Sequence, residues 1–199
     1  MLLLLSAAKL QAQYVQPERT KQPTIHYPAV AFDSLQAKTA LALGKGKITG
    51  VAFTKTRTQF GYKAPLGSKI KAYKMLVMLF PVTPYLQEFL DLRDKKENLK
   101  KQVYVYMSND AYRYRLEAIT NSEGEFTFPD MKPGRYFLTA VLNYNTTHNT
   151  STYTGSGYTN YGGQIDYYKH GTYTKGHSER LEKFVEVKAD GEVVEVKLN

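Results

Sequence analysis

The chain contains no cysteine and no tryptophan. Without cysteine there is no disulfide framework, no thiolate metal site, no cysteine nucleophile and no acylated cysteine to anchor a lipoprotein. Acidic residues are missing from the whole interval between Asp33 and Glu88, which carries Lys38, Lys45, Lys47, Lys55, Arg57, Lys63, Lys69, Lys71 and Lys74. That interval accounts for a net charge of +9. A basic face suits nucleic acid, anionic glycans or an anionic membrane. No nucleic-acid motif accompanies it, so the expectation is a solvated basic face and no nucleic-acid partner. Beyond the first few residues no apolar run approaches the length of a transmembrane span. Gly-x-Ser-x-Gly, His-x-x-x-His and His-Glu-x-x-His are absent. Gly155-Ser156-Gly157 and Gly44-Lys45-Gly46-Lys47 lack the remainder of a phosphate loop. The histidines are His26, His148, His170 and His177, and Asp166, His170 and His177 fall short of a ligand motif. The expectation is a protein without metal, cofactor or catalytic set, and not an enzyme.

What is present points to a globular, exported β protein. The 199 residues, 42% apolar, suffice for one domain with a core and extensions. Residues 1–12 resemble the apolar core and small-residue cleavage site of a secretory signal, although a basic start is missing. This predicts a periplasmic, secreted or surface location. Residues 13–45 read as a polar arm and short helix, with Asp33 as N-cap, helix over 34–43 and Gly44 after it. Residues 46–199 form the domain proper. Strands are predicted over 47–55, 72–80, 112–120 and 135–142, with a closing hairpin over 185–198. Thr83-Pro84 starts an amphipathic helix over 84–101, whose mixed charges read as a solvated face. Inward positions are Val51, Phe53, Val77, Leu79, Leu116, Phe126, Phe128, Tyr136, Leu138, Ala140 and Val185.

Residues 120–138 are the most informative block. Asn121-Ser122-Glu123-Gly124 and 129–134 are turn signals, and Phe126 and Phe128 alternate between them. Thr120, Ser122, Gly124, Phe126, Phe128, Met131, Pro133, Gly134, Tyr136 and Leu138 match a pattern resembling that of carboxypeptidase regulatory-like domains, with Asn121 where an aspartate is usual. The resemblance implies an all-β, antiparallel, transthyretin-like β-sandwich of about seven strands, with the 84–101 helix inserted and a short helix before the first strand. It also implies that Gly124 and Gly134 hold turn conformations. Such domains act as accessory modules of peptidases, transporters and surface proteins. Transthyretin-like hydrolases are the least favoured relatives, because the chain ends Glu195-Val196-Lys197-Leu198-Asn199 instead of in their characteristic motif.

The functional expectation is a non-catalytic binding, accessory or adhesion module at the cell envelope. The alternative is a carbohydrate-binding module working through residues 143–178, an excursion rich in Tyr, Thr, Gly, Asn and Ser. There Tyr153, Tyr158, Tyr161, Tyr167 and Tyr168 are the candidate ligand-binding residues, since tyrosine offers a flat apolar face and a hydroxyl. Sugar platforms in related sandwiches usually rely on the tryptophan missing here. The bland counterpart is a long protruding hairpin whose tyrosines are strand formers.

Overall fold

The computed structural model describes residues 22–57, 62–63 and 65–199. The expected leader over 1–12 and the start of the arm lie outside the described residues. The elements run β1 (Thr24–His26), α1 (Ser34–Ala40), β2 (Gly46–Lys55), β3 (Lys69–Lys71), β4 (Leu76–Pro81), α2 (Pro84–Lys96), β5 (Val103–Val105), α3 (Asn109–Arg113), β6 (Leu116–Ile119), β7 (Glu125–Met131), β8 (Gly134–Tyr158), β9 (Gln164–Val187) and β10 (Val193–Leu198). A single 3-10 turn, Leu99–Lys101, follows α2.

Two sheets make a sandwich. In the first, β2 is central, with β10 parallel on one side and β7 antiparallel on the other. The Ala52 N–H donates to the Gly124 carbonyl and the Ala52 carbonyl accepts from Ala72. Both groups point to one side of β2, so β3 prolongs the β7 edge. The second sheet has the order β6-β4-β8-β9 and is antiparallel throughout. Between them lies the core, with Ile48, Val77, Leu79, Phe128, Met131, Tyr136, Leu138, Leu181, Val187 and Leu198 at most 2% exposed. Each large apolar side chain taken fully out of water contributes about 1.5–3 kcal/mol.

The second sheet is covered on its outer face as well. β4 and β8 are apolar at successive positions, as strands buried on both sides must be. Val77, Leu79, Leu138 and Ala140 face the core, while Phe80 and Phe137 join Leu86 and Phe89 of α2 and Val105 of β5 in a second cluster. α2 begins as the sequence indicates: Thr83 accepts from the Leu86 N–H and Pro84 occupies the first turn. The N-terminal arm lies on this layer. β1 pairs in parallel with β5, and the Glu88 carboxylate accepts from the Ala29 and Val30 N–H groups. The molecule is therefore a mostly-β, three-layered sandwich.

Several sequence expectations change. The described residues hold ten strands, not about seven, and two of the pairings, β10–β2 and β1–β5, are parallel. The closing hairpin does not exist as such, because β10 crosses to β2 in the other sheet. Residues 72–75 form a turn with Lys74 at φ 50°, so the expected strand starts only at Leu76. The strand expected over 112–120 begins only at Leu116, because Tyr112 and Arg113 end the helix Asn109–Arg113, capped by the Ser108 hydroxyl on the Ala111 N–H. α1 ends at Ala40 and α2 at Lys96, each short of its predicted limit. On β2 the inward row is Ile48, Gly50, Ala52 and Thr54, and Val51 is only half-buried. The reason is the Phe126 ring, which lies across Gly50 in the space a Cβ would take. Phe53 is buried outside the main core, with the Lys69 ammonium over its ring. Of the remaining predicted inward residues, Leu116 is half-buried at the core's margin and the others are buried in it.

The 120–138 block acquires physical reasons. Thr120 is buried; its hydroxyl donates to the Ala72 carbonyl and accepts from the Met75 N–H. The Asn121 carboxamide oxygen accepts from the Glu123 and Glu125 N–H groups, closing the turn. Gly124 has φ 78°, and a Cβ there would lie 2.5 Å from the Ala52 carbonyl oxygen. The Tyr136 hydroxyl reaches back to the Lys132 carbonyl at 2.6 Å and the Ala40 carbonyl at 3.1 Å, and burial raises its pKa.

Candidate binding cleft

An open cleft of about 490 Å³ lies on the outer face of the second sheet, between α2, α3 and the arm. Its floor follows from strand register. Outward positions align across the sheet as Met78–Thr139–Glu182, Phe80–Phe137–Phe184 and Val141–Arg180. α2 supplies Phe89 and Arg93, and its C-cap Glu97, as one wall, and Tyr106 and Tyr112 supply the other, with Tyr27 of the arm at the rim. Tyr27, Tyr106 and Tyr112 are each 44–57% exposed, so part of each ring faces solvent. Tyr112 is held by its hydroxyl against the Met78 sulfur at 3.4 Å and by the Arg115 guanidinium 4.0 Å over its ring.

The polar end of the cleft is an alternating ion-pair network. Arg93 Nη2 is 2.6 Å from Glu182 Oε2, Arg180 Nη1 is 3.0 Å from Glu97 Oε2, and Arg180 Nε is 3.9 Å from Glu182 Oε1. The Thr139 hydroxyl donates weakly to Glu182 at 3.5 Å. Both carboxylates are compensated, and both guanidinium groups keep further N–H donors. Arg93 and Glu97 side chains are only 15% and 17% exposed, so this end of α2 is not the solvated face the charge alternation suggested. Such a surface offers aromatic faces beside fixed donors and acceptors, an arrangement suited to a polar, neutral ligand.

The predicted tyrosines lie elsewhere. β8 and β9 extend through the 143–178 excursion to the turn after Tyr158, with one register shift between Tyr153 and Gly155, so that it is a two-stranded ribbon. Beyond the core, residues 145–158 extend it by roughly 45 Å at about 3.3 Å per residue. Tyr153 and Tyr168 are cross-strand neighbours with ring centroids 5.8 Å apart. By register Tyr158 shares their face and Tyr167 takes the other, while Tyr161 sits at the tip, fully exposed. The five rings therefore do not converge. Near the tip Ser156 donates to Asp166 at 2.7 Å and Gln164 donates to Asp166 at 2.9 Å; these two hydrogen bonds, Ser156 first, hold the Asp166 carboxyl below its usual range.

At the root of the ribbon, Glu179 accepts from the Thr54 hydroxyl at 2.8 Å, pairs with Lys63 at 2.6 Å and lies 3.5 Å from Arg57. Burial opposes its ionisation, yet the hydrogen bonds from Lys63 and Thr54 and the charges of Lys63 and Arg57 outweigh that and lower its pKa. Arg57 is held more firmly protonated, chiefly by the Tyr144 hydroxyl and, against some desolvation, by Glu179. Part of the basic 38–74 interval is thus spent on an internal tether.

No known protein-family model matches the chain, and no curated protein sequence matches it. A crystal structure from Pseudomonas aeruginosa, of a protein provisionally described as carbohydrate binding, superposes with a TM-score of 0.52 at 18% identity, covering 84% of this chain and 96% of that one. At that identity the likeness shows a shared mostly-β fold.

Proposed function

We propose that the protein is a non-catalytic binding module that takes a carbohydrate in the cleft on the outer face of its second sheet. One observation carries this reading: partly exposed tyrosine faces at 27, 106 and 112 stand beside a fixed Arg93–Glu182–Arg180–Glu97 network. Sugar rings present apolar faces to aromatic rings and hydroxyls to paired donors and acceptors, and tyrosine here takes the part that tryptophan plays elsewhere. The carbohydrate-binding description of the Pseudomonas aeruginosa neighbour supports the same class of ligand. The reading extends to an exported accessory role at the cell envelope, supported by the signal-like residues 1–12, and to a transthyretin-like, carboxypeptidase-regulatory-like topology, supported by the roles of Thr120, Gly124 and Tyr136. Mass spectrometry of the mature N-terminus from fractionated cells tests export.

The decisive experiment is a glycan array followed by calorimetry with Tyr106→Ala and Arg180→Met. Each substitution should lower affinity for any hit by roughly tenfold or more, the scale of one lost aromatic or charge-assisted contact. Triple replacement of Tyr153, Tyr158 and Tyr168 should leave it intact. Affinity unchanged by the cleft variants, with loss in the ribbon variant, would transfer the site to the ribbon.

A further inference from the structure

The root of the ribbon carries a second constellation, on the face opposite the cleft. Tyr144 pairs with His177, Thr146 with Lys175 and His148 with Tyr173, so all six residues share one face of β8 and β9. Each imidazole is fixed by an aromatic partner. His177 stacks on Tyr144 with centroids 4.9 Å apart at 13°, and His148 stacks on Tyr173 at 5.3 Å and 24°. Both histidines are half-buried. Both turn Nε2 to the same atom, the Thr146 hydroxyl oxygen, at 2.8 Å each.

We propose that His148 and His177 form a cross-strand chelate for an imidazole-preferring divalent transition-metal ion, of the zinc, nickel or copper(II) type. A threonine hydroxyl has a single proton, so it cannot donate to two rings at once. At least one Nε2 must donate to it, or one lone pair goes unmatched; a metal ion instead accepts a lone pair from both rings. The two nitrogens lie no farther apart than twice their 2.8 Å contact with Thr146. Two nitrogens bound to one zinc at about 2.0–2.1 Å stand roughly 3.4 Å apart, a separation inside that limit. Among the described residues no group of three or more His, Cys, Asp or Glu side chains is placed to share one ion. The nearest carboxylate along β9, Glu179, is engaged by Thr54, Lys63 and Arg57. The site therefore has two protein ligands, with the remaining positions filled by water. The bound ion clips β8 to β9 where the ribbon leaves the core.

The test uses the full chain without an affinity tag. Zinc, nickel and copper(II) are titrated by calorimetry, and the copper form is examined by electron paramagnetic resonance. Wild type should bind one ion at pH 7.5 with a two-nitrogen copper signature. Affinity should fall in acid, where protons compete with the metal ion for the imidazole lone pairs. His148→Gln and His177→Gln, chosen because glutamine can still meet the Thr146 hydroxyl, should each weaken binding roughly tenfold or more. His26→Gln and His170→Gln should not. Zinc should slow amide exchange over 145–177 in wild type and not in the His148 or His177 variants. No stoichiometric binding by wild type, or binding that survives the double His148/His177 replacement, overturns the proposal. Should either glutamine variant lose its fold, the copper signature and exchange data on wild type and Thr146→Val decide: one-nitrogen or ribbon-independent binding is the overturning result.

Discussion

Thr120 fills a position at which a threonine and a valine have almost the same volume but opposite consequences. Its hydroxyl donates to the Ala72 carbonyl and accepts from the Met75 N–H, both within the turn that carries Lys74 at positive φ. Thr120→Val keeps the shape and strands two buried backbone groups, which costs about 3 kcal/mol. Thermal denaturation should record a fall in Tm of roughly 10 °C, and Thr120→Ser should recover most of it. A valine variant as stable as wild type would remove the hydroxyl from this role. The two signature glycines separate in the same manner. Gly124→Ala meets both a positive φ and the Ala52 carbonyl, and should destabilise by about 2 kcal/mol. At Gly134 φ is ordinary and a Cβ would come no closer than 3.6 Å to the Tyr136 hydroxyl, so Gly134→Ala should change stability by about 0.5 kcal/mol or less. Equal losses at the two positions in chemical denaturation would contradict this assignment. The pattern of residues announced both glycines, but only backbone geometry tells which one lacks room.

At the scale of elements, Glu179 joins β9 to Thr54 on β2 and to Arg57 and Lys63 beyond it. Its folded-state pKa is lowered, so its ionisation favours the folded form. That contribution is fully present above the unfolded glutamate value of about 4.3 and is lost as pH falls through the lower folded value. Wild type should therefore lose stability between about pH 5 and the acid limit of the Glu179 titration. Glu179→Gln should be less stable at pH 7 by about 2 kcal/mol and flatter in this acid window. Chemical denaturation at a series of pH values measures both, and parallel pH profiles for the two proteins would rule the tether out. Such a link was invisible in sequence, where Glu179 sits among unremarkable charges and its partners stand more than a hundred residues away. The cleft was hidden for the same reason. Arg93 and Glu97 look like solvent-facing helix charges until β9 brings Glu182 and Arg180 against them. What sequence did carry was local: the N-caps Asp33 and Thr83, the alternation of Phe126 and Phe128 on β7, and that of Tyr136, Leu138 and Ala140 on β8; the hairpin expected to join the two does not form, because β7 pairs with β2 in the first sheet and β8 with β4 and β9 in the second. Period-two patterning fixes a face only when a neighbouring strand does not intrude, and on β2 the Phe126 ring intruded over Gly50.

For the whole molecule, the division that matters is between a cored sandwich and a ribbon with none. The main core ends along β8 at Leu142 and Tyr144 and along β9 at Leu181, and the ribbon beyond contributes no residue to either apolar cluster. An isolated two-stranded ribbon is marginally stable in water, so its order depends on continuation from the four-stranded sheet. The sandwich should not depend on the ribbon in return, since no ribbon residue beyond the root joins either apolar cluster. The tether of Thr54, Arg57 and Lys63 to Glu179 lies on the core side of the root, as do all the cleft residues. Replacing residues 147–174 with an Asn-Gly turn joins the facing pair Thr146 and Lys175 by a connection suited to antiparallel strands. The shortened protein should unfold in one cooperative transition, with Tm within about 5 °C of wild type. Its amides in β4 and in the core part of β8 should be protected as in the parent. It should keep whatever glycan affinity the full chain has, and lose the metal affinity that needs His148. A shortened chain that fails to fold would show that the ribbon supports the sandwich. One that folds but no longer binds glycan would move the carbohydrate site from the cleft to the tyrosines of the ribbon.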